Sequence, residues 1–390
     1  MGHTERCVFF VTCAPGIEPV LHDEVRALKL ARVERQVGGV RFEGTLQDAW
    51  RANLELSTAV RVLRRLERFE ARDADALYAR ARELPWERFL TSEGSLAVQA
   101  QSSESALDHT QFLEQRVKDA VVDRFRARCG SRPSVDREDP DLAIHVHVFR
   151  ERVTLSLDTS GEALHKRGWR LHQGRAPLAE TLAAALLHYS EWDRRAPLID
   201  PFCGSGTIAV EAAWLAAGLA PGHRRAFGFE RWPEHDERAF ARLRAERSRP
   251  VARGKRAQLF AYDLDATRVA EARANAEQAG VGDWVRCEVA DARELRLRAG
   301  WGAWIVTNPP YGNRIGAARP HEDDRARDAD DALVSLFRAF GARLREQGRG
   351  CTLAFLAGER AHARALGLHG MRRIPLTNGG LACELCLVRV

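Results

Sequence analysis

Apolar positions recur along the chain at two periods, near 3.6 residues for helices and 2 for strands, and the alternation of the two predicts the elements. Cys7–Val11 reads as a strand, and Gly16–Leu30 follows as a helix with Ile17, Val20, Leu21 and Leu28 on one face. Val40–Phe42 is a second short strand, and Leu46–Leu56 a second helix. A further α+β pattern runs from about Arg64 to Ser160. There Leu96–Gln101 alternates as a strand, and Gln111–Arg128 is helical with Phe112, Val117, Val121 and Phe125 inward. Gly130 suits the end of that helix, where a left-handed residue is needed. Ile144–Phe149 and Arg152–Leu157 alternate as two more strands.

Beyond Gln173 short strands alternate with helices, the first of them apolar. Leu178–Tyr189 is a helix, Pro197–Asp200 a strand, and a new helix starts at Thr207. The Arg-rich insertion Pro221–Arg256 contains FGFERW, which could supply the next strand with Glu230 at its end. Gln258–Asp265 is preferred, because a helix closed by Gly280 follows directly. Trp284–Val289 and Ala303–Asn308 continue the sheet, and Asp330–Leu344 is a helix with Leu333, Leu336, Phe337, Phe340 and Leu344 inward. Cys351–Leu356, Arg372–Pro375 and Leu381–Val390 complete it, the last two as an antiparallel edge.

Composition adds modest constraints. With 390 residues, 45% hydrophobic and 29% charged, the chain has room for two or three domains and a large core. A formal charge of +6 fits a polyanionic partner, although Arg-rich composition alone is a weak argument. The 8 cysteines form no secretory framework, no stretch reads as a signal peptide, and Glu211 interrupts the best apolar run. A reduced, cytoplasmic protein that does not cross a membrane is expected. Cys383 and Cys386 form a CxxC inside a strand, where an odd offset points them to opposite faces, so no metal site is expected.

Two stretches carry chemistry. The strand ending at Asp200 leads into PFCGSGT, where Gly204 and Gly206 let a ligand approach the backbone before a helix N-terminus. The spacing also meets the loose dinucleotide pattern. Asp200, however, would repel a pyrophosphate and attract a sulfonium carrying an amino-acid tail. A carboxylate at the end of the next strand can take both ribose hydroxyls; Asp263 is the better candidate, with Asp265 as a helix cap. Asp291 could accept an adenine amino group or cap a short helix. The second stretch is Ala303–Gly312, AWIVTNPPYG. Two prolines hold Asn308 and Pro309 extended and donate no N–H. The Asn308 side-chain oxygen and a nearby carbonyl can thus accept the two hydrogens of a planar amine, with Tyr311 facing its ring.

DPFCGSG resembles the first motif of class I methyltransferases that use S-adenosylmethionine, and the run from Arg116 to Arg170 resembles the end of a THUMP RNA-binding domain. Together with Gly174–Thr207, Asp263–Asn275 and Val306–Gly312, these motifs make nearly the whole chain similar to the bacterial 23S rRNA (guanine-N2) methyltransferase family. The resemblance implies a seven-stranded, mostly parallel Rossmann-like sheet at 177–390. It is preceded by a ferredoxin-like unit at 1–63, a THUMP domain at 64–160 and a linker at 161–176. It further implies a SAM-dependent enzyme acting on the N2 amine of a guanosine in 23S rRNA, with tRNA as the runner-up substrate. Further rivals are enzymes methylating adenine or cytosine amines in DNA or a glutamine amide in a protein, a non-catalytic RNA-binding protein and, last, a nicotinamide dehydrogenase. Catalysis would fall to Asn308, Pro309, Pro310 and Tyr311. S-adenosylmethionine would contact Thr181, Asp200, Cys203, Gly204, Ser205, Gly206, Thr207, Asp263, Leu264, Asp291, Ala292 and Asn308. RNA would contact Arg116, Lys118, Lys166, Arg167, Trp169 and Arg170; on the residues alone, the basic helix could equally be a solvated face, and the 166–170 group a packed hinge.

Overall fold

The computed structural model describes residues 5–172, 178–250, 256–298, 300–311 and 323–390, with backbone only over 323–330. The chain divides into two units. The first comprises the N-terminal residues through Cys13, then Leu21–Leu164 and Gly222–Glu246; the second comprises Ala14–Val20, His165–Pro221 and Arg247–Val390.

In the first unit the order is β1 (Cys7–Thr12), α1 (Glu18–Ala27), β2 (Ala31–Gln36), β3 (Gly39–Gly44), α2 (Leu46–Glu55), β4 (Arg61–Glu70) and α3 (Ala74–Glu83). It continues with β5 (Ser95–Ser103), α4 (Thr110–Cys129), β6 (Ser134–Val135), β7 (Leu142–Phe149) and β8 (Arg152–Asp158). The strands form one sheet in the order β2-β3-β1-β4-β8-β7-β5-β6. β4 is the seam, antiparallel to β1 on one side and to β8 on the other. Its sequence, RVLRRLERFE, hides a strand because only one face is apolar and the other is arginine-rich. β2, β4 and α3 were not anticipated from the apolar pattern, and the two small α+β patterns share a single sheet.

α4 begins one residue earlier than expected, with the His109 side chain capping Phe112 N–H. Leu113, Val117, Ala120, Val121 and Phe125 face inward, while Phe112, expected inside, is 48% exposed. The 113, 117, 120, 121 spacing closes a helical stripe without it.

The second unit starts with α5 (Glu180–Tyr189), β9 (Leu198–Asp200) and α6 (Thr207–Ala217). The chain then runs through α7 (Glu237–Arg247) before β10 (Leu259–Asp263), α8 (Ala266–Gln278), β11 (Val285–Val289) and β12 (Trp304–Thr307). α9 (Asp323–Gln347), β13 (Thr352–Ala357), α10 (Arg360–Ala365), β14 (Arg372–Asn378) and β15 (Leu381–Arg389) finish it. The seven strands lie in the order β11-β10-β9-β12-β13-β15-β14, parallel but for β15, which is antiparallel to both neighbours. Phe337, Phe340 and Leu344 of α9 pack with Ile305, Leu353 and Phe355 in its core. Cys383 and Cys386 are buried in β15, and no cluster suited to a metal ion occurs among the described residues. No described helix is long and apolar enough to cross a membrane.

The insertion belongs largely to the first unit. FGFERW is not a strand: Gly228–Arg231 is a short 3-10 turn. Phe229 stacks on Trp50 at 5.8 Å and meets Phe240 edge-on at 4.9 Å, and Gly222 N–H donates to Leu54 O at 2.9 Å. Glu230 is consumed locally by Phe227 N–H and Arg244.

Candidate active site

β9 lies between β10 and β12, and its C-terminal end opens into the glycine turn. Gly204 and Gly206 have φ of +53° and +84°, a region side chains disfavour. A Cβ at Gly206 would sit 2.9 Å from that of Ala272, so the turn lies directly against α8. Gly204 N–H donates to Asp263 Oδ2 at 2.9 Å, and Cys203 N–H to Tyr262 O at 2.8 Å. The turn is therefore tied to the end of β10. Asp263 Oδ1 accepts from Asp265 N–H, while Asp265 caps α8 through Thr267 N–H.

Asp200 is the electrostatic centre of this end of the sheet. It is 1% exposed, and burial pushes its carboxyl up to about 7, opposed by hydrogen bonds from Thr307 and Phe202 N–H and assisted by the nearby Asp263 charge. Thr307 Oγ donates to Asp200 Oδ1 at 2.6 Å. This bond joins the end of β12 to the end of β9, one residue before Asn308.

Asn308 is half-buried, Pro309 is buried and Pro310 exposed. The Tyr311 hydroxyl donates to Asn308 Oδ1. The expected acceptor is thus presented, but here a phenol occupies it, so Tyr311 does not lie as a free face for a ring. Its own ring rests on Gly358, where a Cβ would come within 2.8 Å of ring carbons. Asp291 caps the 3-10 turn Ala292–Glu294 and pairs with Arg293, whose hydrogen bond holds its carboxyl below the ordinary value. Leu264 is 66% exposed beside Asp263, and Ala292 is buried.

Burial corrects part of the RNA-contact expectation. Arg167 is 2% exposed and pairs with the buried Glu211 at 3.3 Å; Trp169 is fully buried, edge-on to Trp214 at 6.5 Å. Neither can grip RNA from there, and both are packing residues. Arg170 braces the glycine turn, with Nε 2.8 Å from Glu180 Oε1 and guanidinium bonds to Leu178 O, Ser205 Oγ and Thr207 Oγ. Thr181 is buried in α5, and Lys166 is exposed. In the first unit Arg116 is paired with Asp75 and lies over Tyr78 at 4.6 Å, and Lys118 pairs with Asp119.

Asn275 escaped the sequence reading. It is wholly buried, accepts from Leu171 and His172 N–H at 2.9 and 3.1 Å, and donates to His172 O and Ser205 O at 3.2 and 2.9 Å. The signal available was a polar side chain on the inward stripe of α8, beside Ala272 and Ala276.

Residues 167–386, more than half of the chain, match the family described as the RMKL-like methyltransferase domain. The chain belongs to that family. Residues 71–158 match the THUMP domain, and residues 8–63 the ferredoxin-like first domain described for RlmL. The chain is 39% identical over 387 residues to ribosomal RNA large subunit methyltransferase K/L of Syntrophotalea carbinolica, covering 97% of this chain and 53% of that protein. It spans about half the length of the curated relatives it matches. Among solved structures, SMU.472, described as a candidate methyltransferase and complexed with SAH, is similar with a TM-score of 0.86 and 27% identity over 99% and 98% of the two chains. A Listeria monocytogenes protein, described from prediction as an N6-adenine-specific DNA methylase, gives 0.85 and 28% over 98% and 96%. The second unit of this RMKL-like chain has the class I methyltransferase fold.

Proposed function

We propose that the chain is an S-adenosylmethionine-dependent enzyme that methylates the exocyclic N2 of a guanosine in large-subunit ribosomal RNA, working in the cytoplasm. The observation that carries this reading is the Thr307–Asp200 hydrogen bond, because it brings the Asn308 acceptor to the strand end where the glycine turn begins. The site suits the cofactor: two carboxylates, Asp200 and Asp263, stand at the turn, and Asp200 is held near neutrality by burial. A cationic ligand would draw Asp200, raised to about 7 by burial, toward its ionised form.

When bound, S-adenosylmethionine supplies a methyl group on a positively charged sulfur. Asp263 would hold the ribose hydroxyls, Leu264 and the Asp291–Ala292 turn the adenine, and Asp200 with the turn the amino-acid end. The chain's own work is on the amine. Asn308 Oδ1 and the Pro309 carbonyl accept the two N2 hydrogens of a guanine rotated out of its stack, which frees the nitrogen lone pair. Tyr311 must first release Asn308, and its ring is then available to the base. The proton lost from the product amine passes to water, since the positioned acceptors, not a strong base, supply the rate effect.

RNA as the substrate is supported by the THUMP match and by the names of the half-matched relatives. The test is labelling of total bacterial RNA by the purified chain and mapping of the label. N2-methylguanosine in large-subunit RNA is expected. Label confined to small RNA would move the substrate to tRNA, label on adenine would reject the guanine assignment, and no label alongside normal S-adenosylmethionine binding would reject the RNA reading.

A further inference from the structure

The sheet of the first unit has one buried face and one open face. Phe9, Val11, Val62, Ile144, Val146 and Leu155 fill the buried face. The alternate positions make two rows across the strands. Arg65 lies opposite Ser156, which lies opposite His145, which pairs with Gln99. The next row is Arg68, Thr154, His147 and Gln101. Phe10 sits beside them, with the Arg65 guanidinium 5.0 Å above its ring.

This face gathers cations that lack acidic partners. Other arginines of the unit are paired, among them Arg80 with Glu67, Arg88 with Glu5, Arg116 with Asp75, Arg124 with Glu87 and Arg231 with Asp139; on this face the exposed Glu70, opposite Arg152, is the acid nearest in sequence to Arg68. On the open face His145 is tied to Asp158, and Arg41 to Glu43. Among the described residues, Arg65 and Arg68 form no ion pair; the Arg65 guanidinium donates to Gln36 Oε1 at 3.5 Å and lies over Phe10. Burial lowers the proton affinity of Arg65, and the Arg68 and Arg41 charges lower it further. His147 is pushed down likewise, by burial and then by Arg65 and Arg68. Leaving guanidiniums to repel one another costs stability, and an anion placed between them removes the cost.

We propose that this open face, centred on Arg65, Arg68 and His147, is a docking surface for the phosphate backbone of RNA. The inference rests on the RNA-substrate reading and gives it an interface that the sequence did not suggest. Two adjacent forked cations match successive phosphates, and flanking amides at Gln99 and Gln101 with the Phe10 ring suit sugar and base edges. An acidic protein would satisfy the same charges, and the test separates the two.

The full chain and its Arg65→Gln/Arg68→Gln variant are titrated into fluorescein-labelled fragments of large-subunit ribosomal RNA, read by anisotropy over a range of salt. The variant is expected to bind about tenfold more weakly, with a salt slope shallower by about 2. Arg65→Lys/Arg68→Lys should recover most of both, and calorimetric S-adenosylmethionine affinity should stay unchanged. Equal RNA affinity and slope in wild type and Gln variant would overturn the proposal and favour a protein partner; so would a loss that lysines do not rescue. Should the double variant misfold by circular dichroism, the exposed Arg68→Gln alone carries the test, with half the slope change. If wild type binds RNA through these arginines yet methylates none, the substrate reading fails and the surface stands. If wild type methylates RNA and the variant keeps its KM, the reverse holds.

Discussion

The two sheets differ in what their open ends and faces are for. In the second unit the central strands β9, β12 and β13 are apolar and buried on both faces, and the candidate site collects at the C-terminal ends of β9, β10 and β12. In the first unit the sheet is eight strands wide and one face presents the exposed Arg68, His147, Gln99 and Gln101, the surface proposed for RNA. The difference teaches where each kind of function is vulnerable. An edge-of-sheet site fails when one acceptor or brace is lost, whereas a surface degrades in proportion to the charges removed.

The largest effect should come from the point-like site. Asn308→Ala is expected to lower methyl transfer by about a thousandfold, since it removes an acceptor aimed at the reacting amine, while S-adenosylmethionine affinity by calorimetry changes little. Equal loss of cofactor binding would mean that Asn308 serves the cofactor instead. Next is the brace: Asn275→Leu removes the buried bond to Ser205 O together with the part-buried bonds to Leu171 N–H, His172 N–H and His172 O. It should cost about 3 kcal/mol in denaturant unfolding of the second unit. A cost below 1 kcal/mol would show the turn to be self-supporting.

Thr307→Val is expected to weaken cofactor affinity about tenfold near neutral pH, with Thr307→Ser restoring it. Losing the donated bond raises Asp200 further above about 7 and protonates it. In the native chain, cofactor affinity should rise with pH through 7 as Asp200 ionises. The stability of the cofactor-free protein should move the opposite way. A carboxyl raised from 3.8 to about 7 by folding contributes stability that is full below 4 and lost as pH climbs through 7. A flat affinity profile between pH 6 and 8 would remove Asp200 from cofactor binding. The smallest effect belongs to the first unit: Phe112→Ser should shift stability by less than about 0.5 kcal/mol, against about 3 kcal/mol for Leu113→Ala. Thermal melts of both variants check which face of α4 is inside.

Much of the second unit could be read from the chain alone, because its determinants are local. Two glycines forced to positive φ, the prolines that hold Asn308 extended and the capping Asp265 each act within a few residues, and buried parallel strands stand out as apolar runs. The seam strand Arg61–Glu70 could not be read that way, since half of its side chains face water and apolar content is what marks a strand. The same limit misplaced Arg167 and Trp169: a cation and an aromatic look like a nucleic-acid grip until Glu211 and Trp214, more than forty residues on, are brought against them. Long-range partnership of this kind has no local signature. Thr307 with Asp200, Asn275 with Ser205, and the unpaired state of Arg65 and Arg68 were all settled by which strands and helices the packed chain sets side by side.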